Sequence, residues 1–232
     1  MSQTQIGMAG IGRLGIAMMK HWCDCQIPVG IYHPDHTKAA NFIARYPNGY
    51  VINEDEIHEL DAFVLAVPAD KIIPFISQCV SRNIAIQNTY ILNMATALKT
   101  SEVSSRFPDL NIASMKFMGH SNDLFENGNG LFITEHIVPD EILDIFRVIG
   151  KVKQGNEEIV SKVNKLATYQ AVKAAIELEK VFDEKNLPPE YKNRALTSLL
   201  PEVIRSYSKG NLGHFAQEIV NEIKRNNNTS NK

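Results

Sequence analysis

Neither sign of charge is in clear excess in this sequence. Its 24 lysine and arginine side chains nearly balance its 26 aspartate and glutamate side chains, which leaves a formal net charge of −2. Proteins that bind nucleic acids or anionic membranes electrostatically carry a surplus of positive charge. We therefore expect neither nucleic acid nor a membrane among the partners of this chain.

Cysteine is also scarce, and long hydrophobic runs are absent. Cys23, Cys25 and Cys79 are odd in number and have neither the spacing of a disulfide framework nor that of a metal site. No apolar run approaches the roughly 20 residues that cross a bilayer, and Met1–Thr4 leads into a strand without the features of a signal peptide. These features predict a cytoplasmic protein without a metal centre.

The distribution of apolar residues predicts an α/β fold over the first two thirds of the chain. Short apolar runs, typical of buried strands, alternate with segments of helical period, which favours a mostly parallel sheet with helices on both faces. The predicted strands are Gln5–Ala9, Val29–His33, Gly49–Ile52, Ala62–Val67, Tyr90–Met94, Asn111–Phe117 and Gly130–Thr134. The predicted helices are Leu14–Cys23, Thr37–Arg45, Asp70–Val80 and Pro139–Ile149, the last closed by Gly150 after its C-cap.

A glycine-rich loop, Gly10-Ile11-Gly12-Arg13-Leu14-Gly15, lies between the first strand and the first helix. In this context Gly10 permits a tight turn, Gly12 has no Cβ to keep a pyrophosphate away, and Gly15 lets the helix approach the strand. The helix N-terminus then offers N–H groups and partial positive charge to phosphates. The loop predicts a Rossmann-type domain that binds a dinucleotide through Gly10, Ile11, Gly12, Arg13 and Leu14.

The residues after the second strand bear on the choice of cofactor. The predicted strand ends at His33, which is not acidic, and His36 and Lys38 are suited to a 2′-phosphate. These residues favour NADP. Asp35 is the alternative, because an acidic residue about 20 residues past the loop binds the ribose of NAD; it is equally placed to cap the next helix.

After about Asn156 the pattern becomes wholly helical. Apolar residues from Ile159 to Val181 share one face of a long helix, and Pro201 must kink or split a second helix because it lacks a backbone N–H. Three such helices leave an apolar stripe uncovered, so we expect a homodimer built mainly through Ile159–Val181. The predicted organisation is a Rossmann domain over residues 1–154, an all-α dimerisation and substrate domain over 155–225, and a disordered tail over 226–232.

Three segments resemble the pyrroline-5-carboxylate reductase family. Ile6–Gly12 reads IGMAGIG where the family has IGFIGxGNM, and Leu65–Pro68 reads LAVP where the family's fourth strand ends LAVKP. Asp144–Val152 reads DIFRVIGKV where the family's last dinucleotide-domain helix ends in an IFRxxG-type run. The resemblance covers roughly residues 4–153 and continues in outline through the helical remainder.

This resemblance implies dimers with intertwined helical domains and a substrate bound between the domains. It also implies cofactor contacts beyond the glycine loop. These are His33 and its neighbours after the second strand, Ala66, Val67 and Pro68 after the fourth, and Asn93, Met94 and Ala95 where the family's nicotinamide-proximal turn lies.

The sequence departs from the family around the substrate. Arg13-Leu14 replaces Asn-Met, Gly119-His120-Ser121 replaces Pro-Asn-Thr, and Lys165–Ala171 replaces an SGSGPAY-type segment. The family's SPGGTT segment has no counterpart in the sequence. Because these segments hold the pyrroline carboxylate in the family, we expect weak or no reduction of pyrroline-5-carboxylate by this chain.

His120 is the first catalytic candidate, with Ser121 and Asn122 as polar neighbours. It follows an apolar strand at the edge where open α/β sheets bind their ligands. A histidine there can donate a proton or orient a substrate carboxylate. The alternative is a loop histidine that serves only as a hydrogen-bond partner.

Lys165 is the second candidate. The β-hydroxyacid dehydrogenases share this two-part layout and place a catalytic lysine early in the long helix, with an asparagine four residues on. Here the residue four positions on is Tyr169. The alternative assignments are a solvated lysine and a core or interface tyrosine.

These residues predict an NADP(H)-dependent oxidoreductase, with NAD as the alternative cofactor, that transfers hydride to or from a small molecule with a C=N or C=O bond. One alternative is a non-catalytic dinucleotide-binding sensor or assembly protein. Another is a β-hydroxyacid dehydrogenase-like enzyme that uses Lys165. Fold alone does not separate these functions; a cleft lined by His120 and the long helix would favour an enzyme.

Overall fold

The computed structural model of the protein describes residues 4–229. They divide into two compact units, one that ends at residue 166 and one that begins at residue 167. A six-stranded sheet dominates the first unit. Its strands are β1 (Ile6–Ala9), β2 (Val29–Tyr32), β3 (Gly49–Val51), β4 (Ala62–Leu65), β5 (Tyr90–Asn93) and β6 (Ile112–Ser114).

All neighbouring strands of this sheet are parallel, in the order β3-β2-β1-β4-β5-β6. This order is that of a Rossmann fold and confirms the predicted fold class. The chain leaves β1 in one direction along the sheet and returns to β4 on the other side of it. The strand order therefore reverses between β1 and β4, and ligands of such sheets bind in the crevice beyond the strand ends at this point.

Helices cover both faces of the sheet because its strands are apolar on both faces. Met8 and Val64 pack on one face with Trp22, whereas Phe63 and Leu65 pack on the other. The helices of the first unit are α1 (Arg13–Asp24), α2 (His36–Ile43), α3 (Ala69–Ser81), α4 (Thr100–Arg106), α5 (Ser121–Asn127) and α6 (Asp140–Arg147). Of these, α4 and α5 were not predicted, because seven residues are too few to show a helical period.

The strand predicted over Asn111–Phe117 is in fact two strands in two sheets. Residues Ile112–Ser114 form β6, and Lys116–Phe117 form β7, which pairs antiparallel with β8 (Gly130–Thr134) in a second, three-stranded sheet. Only Met115 separates them, and its N–H donates to the carbonyl of Asn93. Both halves are buried, so the apolar pattern gave no sign that the chain changes partners.

Gly150 does not cap α6 as predicted; it is the first residue of β9 (Gly150–Gln154), which pairs parallel with β8. A Cβ at Gly150 would overlap the backbone of Gly130 in β8. The glycine is required by close strand approach and not by a helix end. The sequence shows the glycine but not which of these two reasons applies.

Helix α7 (Glu158–Glu184) begins in the first unit and continues into the second, which otherwise contains α8 (Pro189–Arg194), a π-helical turn (Ala195–Leu199), α9 (Leu200–Ser208) and α10 (His214–Thr229). The interruption predicted at Pro201 takes the form of this π-helical turn, which ends directly before α9. Helix α10 continues to Thr229 where a disordered tail was predicted from residue 226; residues 230–232 lie outside the described part. Within residues 4–229 no helix is long and apolar enough to cross a membrane.

Candidate functional site

Three glycines of the loop between β1 and α1 are packed very differently. Gly10 has a φ of +117°, and a Cβ there would overlap the carbonyl group of Ala66, which follows β4. A Cβ on Gly15 would overlap the carbonyl oxygen of Gly10. At Gly12, by contrast, no atom lies within 4 Å of the Cβ position. Gly10 and Gly15 are needed by the fold, whereas Gly12 leaves open space above the loop.

The N-terminus of α1 is open as well. Gly12 is the N-cap, so no side chain accepts a hydrogen bond from the first turn, and that turn carries no acidic residue. The first backbone N–H groups of a helix have no partner within the helix. Together with the helix dipole they attract an anion, and Arg13 adds a positive charge at the same end.

A cleft of about 550 Å³ extends from this loop across the carboxyl ends of β1, β4 and β5. Its volume falls within the range of small-ligand sites. All the lining residues belong to the first unit, and no carboxylate is among them. They are Arg13, Leu14, Ala66, Val67, Pro68, Ala69, Met94, Ala95, Thr96, Ala97, Phe117, Gly119, His120, Ser121 and Asn164.

The structure thus brings many of the predicted site residues to one place. Arg13 and Leu14 lie there with Ala66, Val67 and Pro68, and with Met94, Ala95, His120 and Ser121. Ile11 is partly buried and packs against the core, so only its backbone belongs to the loop. Gly10 and Gly12 are not among the lining residues; Gly10 packs against Ala66, and Gly12 directly precedes Arg13 at the start of α1.

His33, Asp35, His36 and Lys38 lie together beyond the end of β2. The Asp35 side chain caps α2, because its Oδ1 accepts from the Lys38 N–H at 3.2 Å, and its Oδ2 lies 3.8 Å from the Lys38 Nζ. His33 Nδ1 accepts from the Asp35 N–H at 2.9 Å. His36 and Lys38 are exposed.

His120 is the N-cap of α5, and its Nδ1 accepts a hydrogen bond from the Asn122 N–H at 3.2 Å. A backbone N–H donates, so Nδ1 carries the lone pair and the neutral ring has its hydrogen on Nε2. The imidazole therefore offers an N–H donor at the edge of the cleft. Asn122 is exposed and is not among the lining residues.

Asn164, and not the predicted Lys165, is the residue of α7 that lines the cleft. The Asn164 Nδ2 donates to the carbonyl of Phe117 at 3.3 Å, which holds its amide beside β7. Lys165 is exposed and lies outside the lining residues, and Tyr169 is exposed too. A one-residue shift along a helix turns a side chain by about 100°, which a partial motif does not resolve.

Buried polar side chains hold the loop that follows β5, residues Met94–Lys99, through hydrogen bonds. Asn93 does not line the cleft: its Nδ2 donates to the Leu98 carbonyl at 3.1 Å and to the Thr100 Oγ1 at 3.0 Å, and its Oδ1 accepts from the Ala95 N–H. Asn93 therefore shapes this post-β5 loop, whose residues Met94 to Ala97 form one wall of the cleft.

Lys116 is the residue beneath this loop that sequence reasoning missed. Its side chain is 2% exposed, and its Nζ donates to the carbonyls of Ala95 at 2.6 Å and Leu98 at 2.9 Å. Burial lowers the pKa of the Lys116 ammonium to about 8, although Glu157, 3.5 Å away, acts in the opposite direction. A lysine inside a run of apolar strand residues was the available signal, because a buried lysine requires partners.

The described residues contain no group of three or more His, Cys, Asp and Glu side chains that could hold a metal ion. The cysteines are free. The chemistry available in the cleft comes from Arg13, Thr96, His120, Ser121, Asn164 and the backbone.

No family model and no curated protein matches the sequence, but solved structures match the fold. Pyrroline-5-carboxylate reductase from Coxiella burnetii aligns with a TM-score of 0.69 at 12% identity, over 96% of this chain and 85% of that one. The pyrroline carboxylate reductase of Plasmodium falciparum, solved with NADP bound, gives 0.64 at 14% identity over 96% and 85%.

A third match is 3-hydroxyisobutyrate dehydrogenase from Salmonella typhimurium, with a TM-score of 0.64 at 13% identity over 90% of this chain and 79% of that one. At these identities the matches establish architecture. The chain has the fold of the pyrroline-5-carboxylate reductases, a Rossmann-type sheet followed by helices.

Proposed function

We propose that this chain is an NADP(H)-dependent oxidoreductase that acts on a small C=N or C=O compound in the cleft described above. The observation that carries the proposal is the open space at Gly12, beside the uncapped N-terminus of α1. The other two loop glycines are packed against backbone, so the fold itself does not require a glycine here. A pyrophosphate passing over Gly12 would use both the space and the free N–H groups.

The preference for NADP rests on the groups beyond β2. The Asp35 carboxylate is engaged by the N-terminus of α2 and by Lys38, whereas an NAD-type contact needs it to accept from the ribose. His36 and Lys38 are exposed, and a ring N–H of His36 and the ammonium of Lys38 can donate to a 2′-phosphate. The Plasmodium reductase of the same fold was solved with NADP.

The residues of the cleft would have separate roles in binding the cofactor and the substrate. The loop and Arg13 would hold the pyrophosphate, and the post-β5 loop would lie beside the nicotinamide, which supplies the hydride when bound. His120 would donate a hydrogen bond through Nε2 to the substrate and so orient it. Asn164 offers its Oδ1 as an acceptor, because its Nδ2 is used by Phe117.

Fluorescence titration with NADPH and NADH tests the cofactor, and a thermal-shift screen of small carbonyl and imine compounds with NADPH tests the substrate. We expect NADPH to bind more tightly than NADH, and one class of compound to raise the melting temperature further. Failure of both cofactors to bind at millimolar concentration would contradict the proposal. Tight NADPH binding without turnover of any compound would point to the non-catalytic alternative.

We also infer that the chain works as a homodimer. Among the described side chains of residues 167–226, Ala195 is the single buried hydrophobic residue. Exposed apolar side chains instead cover α7, α9 and α10, including Tyr169, Ile176, Val203 and Phe215. A unit without a core of its own is stabilised by covering these faces, and a second copy related by a two-fold axis is the commonest solution.

A further inference from the structure

Lys116 makes contacts that are unusual for a buried lysine. Two of its ammonium hydrogens are donated to carbonyls of the same short loop, Ala95 at one end and Leu98 near the other. Water has little access to them, since the side chain is 2% exposed. The ammonium thus ties together both ends of the post-β5 loop from inside the protein.

Glu157, directly before α7, completes the arrangement. Its two carboxylate oxygens accept from the N–H and the Oγ1 of Thr100, both at 2.6 Å, and one of them lies 3.5 Å from the Lys116 Nζ. Thr100 also accepts from Asn93. The loop is therefore fixed at its entry by Asn93, at its exit by Thr100, and across its middle by Lys116.

A buried charge that is retained at a cost, next to a cleft, indicates a functional requirement more than a need for stability. The groups that Lys116 holds are backbone carbonyls whose neighbours, Met94 to Ala97, form the cleft wall. Holding that wall in one conformation before a ligand arrives lowers the ordering cost of binding.

We propose that Lys116 is a positioning residue for the nicotinamide end of the cofactor, acting through the post-β5 loop. The proposal rests on the proposed function, since it presumes that the cleft binds a dinucleotide. Lys116 does not line the main cleft, so its effect is indirect and passes through the carbonyls of Ala95 and Leu98.

The charge state of Lys116 decides whether the loop is held. Glu157 is the carboxylate that faces it, and Glu135 contacts Glu157 through the Glu157 N–H. Lys116 and Glu157 also line a second cavity of about 410 Å³, whose other charged groups are Lys99, Glu158 and Lys162. Glu158 pairs with both Lys99 and Lys162. A neutral amine can still donate two hydrogens to the carbonyls, but its lone pair then faces the Glu157 carboxylate, so loss of the proton weakens the assembly.

Lys116→Met tests this role, because it removes the ammonium and keeps most of the apolar stem. Lys162→Met, an exposed lysine on the same cavity, is the matched control. Without any ligand, hydrogen exchange of residues 94–100 should be faster in Lys116→Met than in wild type or in the control. At pH 7 the affinity for NADPH should fall about 10-fold, because binding must then order the loop that Lys116 holds in the wild type.

The pH dependence of NADPH affinity and of loop exchange distinguishes this role from a merely structural one. Between pH 7 and pH 9 wild type and Lys162→Met should lose NADPH affinity and gain loop exchange, after correction for the chemical exchange rate, as the Lys116 ammonium with its pKa of about 8 gives up its proton. Lys116→Met should show neither change.

Equal loop exchange and equal NADPH affinity in wild type and Lys116→Met would overturn the proposal while leaving the proposed function intact. If the variant fails to fold, Lys116→Gln is compared with wild type in its place, and equal loop exchange and equal NADPH affinity would overturn the proposal. A wild type that binds neither NADPH nor NADH at pH 7 would overturn the proposed function and, with it, the cofactor role of Lys116.

Discussion

At the scale of single residues, neighbouring glycines serve different purposes. Gly10 and Gly15 are enforced by the packing of the loop on Ala66 and on itself, whereas Gly12 has φ −79° and ψ −170°, a conformation open to any residue. A glycine that neither the backbone conformation nor the packing requires is explained by what comes to lie on it. The difference makes Gly12 the residue at which binding can be changed without changing the fold.

Gly12→Val should abolish cofactor binding and leave the protein folded. The branched side chain would occupy the space above the loop, so we expect NADPH affinity to fall by at least about 100-fold, which corresponds to about 2.7 kcal/mol. The cost to stability should be about 1 kcal/mol or less, since valine is a poorer N-cap than glycine. Fluorescence titration measures the first effect and thermal unfolding the second.

Gly10→Ala is the contrasting control. It would be strained at φ +117° and would overlap Ala66, so it should destabilise the first unit on the order of 3 kcal/mol. If Gly12→Val binds NADPH like wild type, the cofactor does not cross this loop and the proposed function loses its main support.

His120 can be tested with its capping role separated from its chemistry. Asparagine is a good N-cap, so His120→Asn should keep α5 and the melting temperature, while His120→Ala loses the cap as well. Because the asparagine lacks the imidazole Nε2–H, we expect kcat to fall about 100-fold, the lower end of what a positioned acid–base group contributes, with NADPH affinity unchanged. Wild-type kcat in His120→Asn would show that the histidine is only a cap.

At the scale of secondary-structure elements, the sequence predicted what is local and missed what depends on a partner. Apolar runs predict the strands β1, β2 and β4, and the spacing of the glycines predicts the loop between β1 and α1. The division between β6 and β7, the strand β9 and the ion pair of Lys116 with Glu157 depend on residues far apart along the chain. The contacts of Asn93 and Lys116 likewise depend on the fold, because it brings these side chains of β5 and β7 to the same loop.

The close approach of β8 and β9 makes a prediction at this scale. Gly150→Ala would place a methyl group against the Gly130 backbone, so we expect the free energy of unfolding to fall by roughly 1–3 kcal/mol, the usual cost of overpacking.

Trp22 is the only tryptophan of the chain. Its Nε1 donates to the Ile145 carbonyl and its ring lies 5.6 Å from that of Phe146, both in α6. Its fluorescence during urea unfolding therefore reports on this region.

Gly155→Ala is the matched control, because the nearest atom to its Cβ position is 4.0 Å away. It should leave the urea midpoint unchanged or raise it slightly, as a compatible glycine-to-alanine change restricts the unfolded chain. Equal midpoints for Gly150→Ala and Gly155→Ala would mean that the strands separate easily and that Gly150 has no packing role.

At the scale of the whole molecule, the two units differ in how they are stabilised. The first has two extensive hydrophobic clusters around its sheet, whereas the second buries Ala195 alone among its described hydrophobic side chains. Helices of this length gain most of their stability from covering an apolar face and little from intrinsic propensity. The second unit of an isolated chain would therefore be the first to lose its helices.

Light scattering at micromolar concentration should show a particle of twice the 26.0 kDa chain mass. An interface of the usual size buries about 1,600 Å², and the exposed apolar side chains of α7, α9 and α10 offer the surface for it. Ala167 and Ala171 lie on the apolar face predicted over Ile159–Val181, and both are exposed. Ala167→Glu combined with Ala171→Glu places two charges on this stripe of α7 and keeps residues that favour a helix. This variant should be monomeric and should lose helical signal in circular dichroism, with the melting transition of the Trp22 region little changed. Thr168→Glu, which adds a charge between the two positions but outside the stripe, should remain a dimer. A monomeric wild type would refute the homodimer, and a dimeric double variant would place the interface on a face other than this stripe.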